Sequence, residues 1–146
     1  MPQKTKPLNT ALIGLGMVAD THVNALARLK GSIHLKGIFA RGQAAAHDYA
    51  VKAEAICSYP CDVYPSIQAI AEDTELDFVI VATPPNARLE IVKLFTAAKL
   101  PMLMEKPIER TTAAALEIVE ICEAGDTPLG VVFQHRARVA SMKLQQ

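Results

Sequence analysis

A glycine-rich turn near the start of the chain has the spacing that binds nucleotide phosphates. The string Gly14-Leu15-Gly16-Met17-Val18-Ala19 follows a short apolar run and opens a helical pattern, which is the context in which G-x-G-x-x-G/A binds a dinucleotide. Gly14 permits a tight turn, Gly16 lets backbone approach a pyrophosphate, and Ala19 lets the helix pack closely on the strand. The helix start offers unpaired N–H groups to phosphates. We therefore predict a nucleotide site here; the alternative is a purely structural βα turn.

A second group of residues that could do chemistry follows a later apolar run. Glu105 and Lys106 stand between Met102-Leu103-Met104 and Pro107. Lys106 could hydrogen-bond a substrate hydroxyl and assist its proton transfer, if partial burial favours its neutral amine. Glu105 could orient a cofactor ribose. The alternative is that both side chains are exposed loop charges.

The residues after the second apolar run indicate which dinucleotide is preferred. Ala40 stands roughly 20 residues beyond the glycine turn, where NAD-specific sites place an acidic residue against the ribose 2′-hydroxyl. A small residue removes carboxylate repulsion, and the guanidinium of Arg41 can pair with a 2′-phosphate. The pair predicts NADP in preference to NAD, the alternative being that Arg41 is a solvated loop charge.

Short apolar runs alternate with helical patterns along the chain. The expected strands are 10–14, 33–40, 61–64, 78–82, 102–104 and 129–133. The expected helices are 18–29, closed by Gly31 as a left-handed cap, 43–53, 67–72, a fourth capped by Asn86 and running to Ala98, and 112–124. This alternation predicts an α/β fold, a doubly wound parallel Rossmann sheet with strand order 3-2-1-4-5-6. Since ligands bind at the carboxyl ends of such strands, we expect the site residues to meet at one edge.

Composition narrows the possible classes of protein. The chain has 146 residues, of which 51% are apolar, and this predicts one packed domain. Lysine plus arginine and aspartate plus glutamate both number 15, so charge gives no reason to propose nucleic acid or a membrane as partner. No apolar run approaches the roughly 20 residues of a membrane span, and no signal segment is recognisable. Cys57, Cys61 and Cys122 form no C-x-x-C pair, so we expect a cytoplasmic protein without a metal site or disulfides.

The order and spacing of these motifs resemble the Gfo/Idh/MocA family (glucose–fructose oxidoreductase, inositol dehydrogenase and rhizopine catabolism). The motifs are the glycine turn with its continuation Ala19-Asp20-Thr21-His22, Thr83-Pro84-Pro85-Asn86, Glu105-Lys106-Pro107 and the segment 130–136. The resemblance covers essentially the whole chain. It implies an NAD(P)-dependent oxidoreductase that transfers a hydride between a nicotinamide cofactor and a sugar, a cyclitol or a related polyol or keto compound.

The resemblance also implies residue roles. The implied cofactor-binding residues are Gly14, Gly16, Met17, Val18, Ala40, Arg41, Thr83, Pro84, Asn86, Glu105 and Lys106. Lys106 is also the implied catalytic residue, while His22 is expected to pack or to form a helix-local hydrogen bond. The chain departs from the family pattern at three positions. Arg88 stands where the family often has histidine, Lys99 where a glycine usually ends the helix, and Gln134 where asparagine is commoner.

The domain organisation follows from the same resemblance. Residues 1–136 are expected to form the dinucleotide-binding domain, and residues 137–146 the start of a second α/β domain that in the family covers the nicotinamide. The chain alone is therefore expected to be inactive, and any homo-oligomer is expected to form through that second domain. An alternative is a non-catalytic, cofactor-responsive regulator or scaffold of the same fold. A methyltransferase with a related sheet is disfavoured by the G-x-G-x-x-A spacing.

Overall fold

A six-stranded parallel sheet runs through the middle of the protein in the computed structural model, which describes residues 6–137 and 139–143. The strands are β1 (Leu8–Ile13), β2 (Ile33–Phe39), β3 (Asp62–Val63), β4 (Phe78–Val81), β5 (Met102–Glu105) and β6 (Leu129–Val132). Their order is β3-β2-β1-β4-β5-β6, and every pairing is parallel. The predicted α/β class and strand order are confirmed.

Helices cover both faces of the sheet. They are α1 (Ala19–Arg28), α2 (Gln43–Cys57), α3 (Ile67–Ala71), α4 (Arg88–Ala97), α5 (Thr112–Ala124) and α6 (Val139–Lys143), with 3₁₀ turns at Pro85–Ala87 and Gln134–Ala137. Helices α1 and α2 pack on one face, and α3, α4 and α5 on the other. Along β4, Ile80 contacts the α1–α2 side whereas Val79 and Val81 face the opposite side. Burial on both faces explains why this strand is a continuous apolar run.

Strand β2 contains one residue more than its neighbour. Leu35 and Gly37 pair with consecutive residues of β1, so Lys36 between them is skipped. Its Nζ lies 2.6 Å from a carboxylate oxygen of Asp73 and 2.6 Å from one of Glu75. The extra residue is a β-bulge, and beyond it β2 resumes regular pairing up to the edge where its carboxyl end lies.

Two helix ends differ from the sequence expectation. Gly31 does not adopt a left-handed conformation, and α1 instead ends with Leu29, whose N–H bonds to the carbonyl of Leu26. Asn86 does not cap α4, because the preceding prolines start the Pro85–Ala87 3₁₀ turn and place Asn86 inside it. Both capping predictions are therefore wrong. Glycine favours a left-handed helix end and asparagine favours an N-cap, but the backbone at Gly31 and Asn86 adopts neither conformation.

Other features of the described part bear on the composition argument. The thiols of Cys57, Cys61 and Cys122 are buried and free. Burial raises the pKa of the Cys61 thiol to about 12, with Cys57 nearby contributing in the same direction. None of the helices within residues 6–137 and 139–143 has the length and apolarity needed to cross a membrane.

Candidate functional site

The carboxyl ends of β1, β2, β4 and β5 surround a cleft of about 720 Å³. Parallel strands bring their carboxyl ends to the same edge, so loops that are distant in the chain become neighbours there. Every cofactor residue predicted from the sequence lines this cleft: Gly14, Gly16, Met17, Val18, Ala40, Arg41, Thr83, Pro84, Asn86, Glu105 and Lys106. The fold thus gathers the whole predicted set.

The two glycines of the turn after β1 have different surroundings. Gly14 has a φ of +96°, and a Cβ there would lie 2.9 Å from the backbone carbon and oxygen of Ala82. A Cβ on Gly16 would meet nothing within 4 Å. Gly14 is therefore required by the close approach of the turn to β4, whereas Gly16 presents bare backbone to open space. Backbone without a side chain is what allows a phosphate to approach closely.

Helix α1 begins at the cleft. Val18 precedes it in a helical conformation and caps it with no side-chain hydrogen bond. Met17 is fully exposed, whereas Ala19 is completely buried against the sheet. A helix start without a side-chain cap leaves its first N–H groups for solvent or a ligand. The small side chain of Ala19 permits the close packing that the turn motif predicts.

A buried arginine joins the loops that follow β4 and β5. Arg88 is 2% exposed, and its Nε and Nη2 donate to the Thr83 carbonyl at 3.0 and 2.7 Å. Its Nη1 donates to the carbonyls of Glu105, at 2.5 Å, Pro107 and Ile108. Burial lowers the pKa of the Arg88 guanidinium, and the nearby carboxylates oppose that shift. One side chain therefore ties both loops together.

A histidine from α1 holds the carboxylate of Glu105. The Nε2 of His22 donates to Glu105 Oε1 at 2.9 Å, and both side chains are 11% exposed. The backbone N–H of Lys106 donates to the other carboxylate oxygen at 3.2 Å. The expected helix-local bond of His22 is thus replaced by a contact that joins α1 to the end of β5.

The residues present fit a dinucleotide. Besides the open space before Gly16, the hydroxyl oxygen of Thr83 is buried at the cleft and has no hydrogen-bond partner among the described residues. A buried hydroxyl without a partner is costly, and a polar ligand in the cleft would provide one. The Glu105 carboxylate, which lines the same cleft, supplies an acceptor that His22 holds in place.

The side chains that the sequence assigns to charge and proton transfer are less enclosed. Arg41 and Lys106 are exposed, and Ala40 is half-buried. A proton-transfer role for Lys106 requires its amine to be partly buried. The described residues do not bury it. The Lys106–Pro107 peptide is cis. Within the same part of the chain, no cluster of three or more His, Cys, Asp or Glu side chains could hold a metal.

Sequence reasoning missed the contacts of Arg88 and His22. For Arg88 a signal exists in helix α4, because residues 88, 91, 92 and 95 follow the i, i+3, i+4, i+7 pattern of a buried face. An arginine at the first of these positions is buried with Ile91, Val92 and Phe95. For His22 no comparable local signal exists, since its partner lies 83 residues away.

Known proteins share both the sequence and the fold. An uncharacterised protein of Saccharomyces cerevisiae is 30% identical over 126 residues, which covers 86% of this chain and 35% of that protein. Inositol 2-dehydrogenase 2 of Saccharopolyspora erythraea is 26% identical over 122 residues, covering 84% of this chain and 34% of the relative. The chain thus spans about a third of the length of the curated relatives that it matches.

Among solved structures, scyllo-inositol dehydrogenase from Lactobacillus casei, with bound NAD(H) and scyllo-inositol, has a TM-score of 0.80. It is 17% identical, and the match covers 97% of this chain and 40% of that one. At this identity the likeness shows the fold. The family model described as an oxidoreductase family with an NAD-binding Rossmann fold matches residues 8–133. The chain therefore belongs to the Gfo/Idh/MocA oxidoreductase family.

Proposed function

We propose that the cleft binds NADP(H) in preference to NAD(H), as the cofactor-binding part of a dehydrogenase that acts on a CH–OH group of a sugar, a cyclitol or a related polyol. The observation that carries this proposal is the convergence of the glycine turn and three other loops on one cleft. The relatives named inositol dehydrogenase support the substrate class. A small-molecule substrate is thus the proposed partner.

At the glycine turn, the pyrophosphate would lie against Gly16 and the start of α1. Apart from Gly16 and its two chain neighbours, no described residue has a heavy atom within 4 Å of a Cβ built on Gly16, which leaves room for this approach. Unpaired N–H groups and the positive end of the helix dipole favour a negative charge at that position. Met17 and Val18 would contribute backbone N–H groups.

At the end of β2, Ala40 and Arg41 would bind the adenosine ribose. Ala40 carries no carboxylate that would repel a 2′-phosphate, and Arg41 is exposed on the wall of the same cleft. Its guanidinium can donate two parallel hydrogen bonds to a phosphate. This chemistry favours NADP(H).

At the ends of β4 and β5, Thr83, Pro84, Asn86 and Glu105 would hold the nicotinamide end. The hydroxyl of Thr83, which has no hydrogen-bond partner within residues 6–137 and 139–143, and the fixed carboxylate of Glu105 are suited to ribose and amide groups. When bound, the nicotinamide accepts or supplies the hydride. Lys106 would hydrogen-bond the substrate hydroxyl, and in its neutral form the amine would accept the hydroxyl proton during oxidation.

We also propose that residues 1–136 form the dinucleotide-binding domain and that residues 137–146 begin a second, substrate-binding domain through which a homo-oligomer would assemble. The length of the relatives supports this division. Because Lys106 is exposed and hydride transfer needs an oriented, water-poor site, this chain alone should show no steady turnover with NADP(H) and a panel of polyols. Sustained turnover would contradict that expectation.

The test of the cofactor site is calorimetric titration with NADPH and NADH. The wild-type chain should bind NADPH more tightly, and Arg41→Ala should weaken NADPH binding about tenfold, which corresponds to one charge-assisted contact of about 1.4 kcal/mol. Binding of NADH should not change. Arg28→Ala is the matched control, because Arg28 is an exposed arginine outside the cleft.

Each other outcome of the titration would overturn one part of the proposal. Equal affinities for the two dinucleotides would refute the NADP preference and leave the dehydrogenase assignment. Failure of both to bind this chain and its two-domain form would refute the cofactor site.

A further inference from the structure

We propose that Arg88 is a positioning residue, which fixes the Glu105–Lys106 segment against the Thr83 loop and so sets the geometry of the nicotinamide end of the cleft. The inference rests on the proposed function, because it assigns that end of the cleft to the nicotinamide. Its structural part, the fixing of one loop against another, can be tested without a ligand.

The geometry of the guanidinium carries the argument. One edge of the planar group, Nε and Nη2, donates to the Thr83 carbonyl at the end of β4. The remaining nitrogen, Nη1, donates to the carbonyls of Glu105, Pro107 and Ile108 after β5. Guanidinium donors diverge in a rigid fork. The two loops are therefore held at a fixed separation and orientation.

The guanidinium of Arg88 forms no direct ion pair among the described residues, although the carboxylates of Glu105 and Glu109 are near enough to favour its charge. No acidic oxygen lies within 4 Å of its nitrogens in the described part of the chain, and the side chain is 2% exposed. Burial of an unpaired charge is costly unless hydrogen bonds satisfy it. Here four backbone carbonyls do so, and each carbonyl is fixed in return. The arrangement orders loop backbone, whereas an ordinary ion pair would join two side chains.

The consequence for the proposed reaction concerns Lys106. The carbonyls on either side of it, those of Glu105 and Pro107, both accept from Arg88. Its backbone is thus fixed while its side chain extends, exposed, into the cleft. The Glu105 carboxylate is held separately by His22. Arg88 therefore fixes the backbone from which the side chains of Glu105 and Lys106 extend. It does so without contacting a substrate.

The experiment compares two ligands that share one half. NADPH and 2′-phospho-ADP-ribose have the same adenosine and pyrophosphate groups, but only NADPH has the nicotinamide. For Arg88→Met, the affinity for NADPH should fall about tenfold, and the affinity for 2′-phospho-ADP-ribose should stay within about twofold. Arg88→Lys, which keeps the charge and lacks the fork, should fall between the wild type and Arg88→Met.

Lys93→Met is the matched control. Lys93 lies on the same helix, is exposed and forms an ion pair with the exposed Glu90, so neither affinity should change. A purely structural role for Arg88 would lower both affinities of Arg88→Met in parallel, and that result would overturn the proposal. Unchanged affinities for both ligands would overturn it as well.

Amide hydrogen exchange of the ligand-free protein provides the second readout. In Arg88→Met and Arg88→Lys, the amides of Lys106, Ile108 and Glu109 should exchange faster, while those of α5 should not. Unchanged exchange at these amides would refute the fixing role, whatever the ligands do. The wild type could bind no NADPH while exchange at these amides is accelerated in the variants. That result would refute the proposed function and support the fixing of the two loops by Arg88.

Discussion

The two ends of the cleft are built in different ways. The open end comprises Gly16, Ala40 and Arg41, where bare backbone and an exposed side chain face solvent. The braced end comprises Thr83 and Glu105, together with the buried groups of Arg88 and His22 that hold them. The difference teaches that buried side chains fix the loop backbone at the braced end, whereas at the open end the carbonyl of Ala40 accepts from the exposed side chain of Gln43. A ligand at the open end would organise the site by its own charge, whereas the braced end is organised beforehand.

The largest effect is expected where the glycine turn meets the end of β4, because this contact joins the open end to the braced end. Gly14→Ala places a methyl group 2.9 Å from the backbone of Ala82 at a φ of +96°, so the turn must move away from β4. We expect a loss of about 3 kcal/mol or more in the free energy of unfolding, measured by urea denaturation. An unchanged midpoint would show that the turn can relax and that the two ends are not rigidly joined.

Gly16→Ala separates binding from stability at the open end. Since a Cβ at Gly16 meets nothing within 4 Å, the stability should stay the same or rise by up to about 1 kcal/mol. The methyl group occupies the space of the proposed pyrophosphate, so NADPH affinity should fall about 100-fold, equivalent to about 2.7 kcal/mol. Titration and denaturation of the same variant measure both. Undiminished affinity would show that the phosphates of NADPH do not bind at this turn.

His22→Phe tests one support of the braced end. It removes the donor to Glu105 Oε1, a carboxylate oxygen on a residue that is 8% exposed. The expected cost is about 1.5 kcal/mol in the free energy of unfolding. His22→Gln keeps an N–H donor and should recover part of that loss. Equal losses in the two variants would attribute the effect to packing of the ring.

Lys99→Gly lies outside both ends and gives the smallest effect. Lys99 has a φ of +57° at the end of α4, a conformation that glycine adopts more readily. Its Nζ donates to the carbonyl of Gly125 on the surface, which offsets part of the gain. We expect a stabilisation of about 0.5 kcal/mol and unchanged NADPH affinity. The comparison variant Lys93→Gly, inside α4, should destabilise by about 1 kcal/mol.

The regular parts of the molecule were predictable from local pattern. The side chains of residues 78–81 point alternately into the two apolar layers. A continuous run of apolar residues of this kind predicts a buried parallel strand. Helix α5 spans Thr112–Ala124 as expected, and Thr111 caps it through a hydrogen bond from Ala114 N–H. The location of the cleft followed as well, because strand ends in a parallel sheet share an edge.

The contacts that brace the cleft were not predictable in the same way. An arginine at the start of a helix ordinarily suggests a solvated charge, and only the folded loops reveal that four carbonyls converge on Arg88. The contact of His22 with Glu105 depends on how α1 crosses the end of β5. The cap assigned to Asn86 failed because two prolines impose their own turn. The contacts of Arg88 and His22 depend on tertiary geometry that residue types alone do not encode, whereas the turn at Asn86 follows from the local sequence Pro84-Pro85.

The bulge at Lys36 has a consequence for how such chains change in length. Because β1 and β2 pair regularly on both sides of it, deletion of this one residue would shorten the path from the glycine turn to Ala40 without shifting either end of the strand. The number of residues between the glycine turn and Ala40 can therefore change by one at this strand. A chain without that residue would still place the position of Ala40 at the carboxyl end of β2, and a sequence motif of fixed length would not match it.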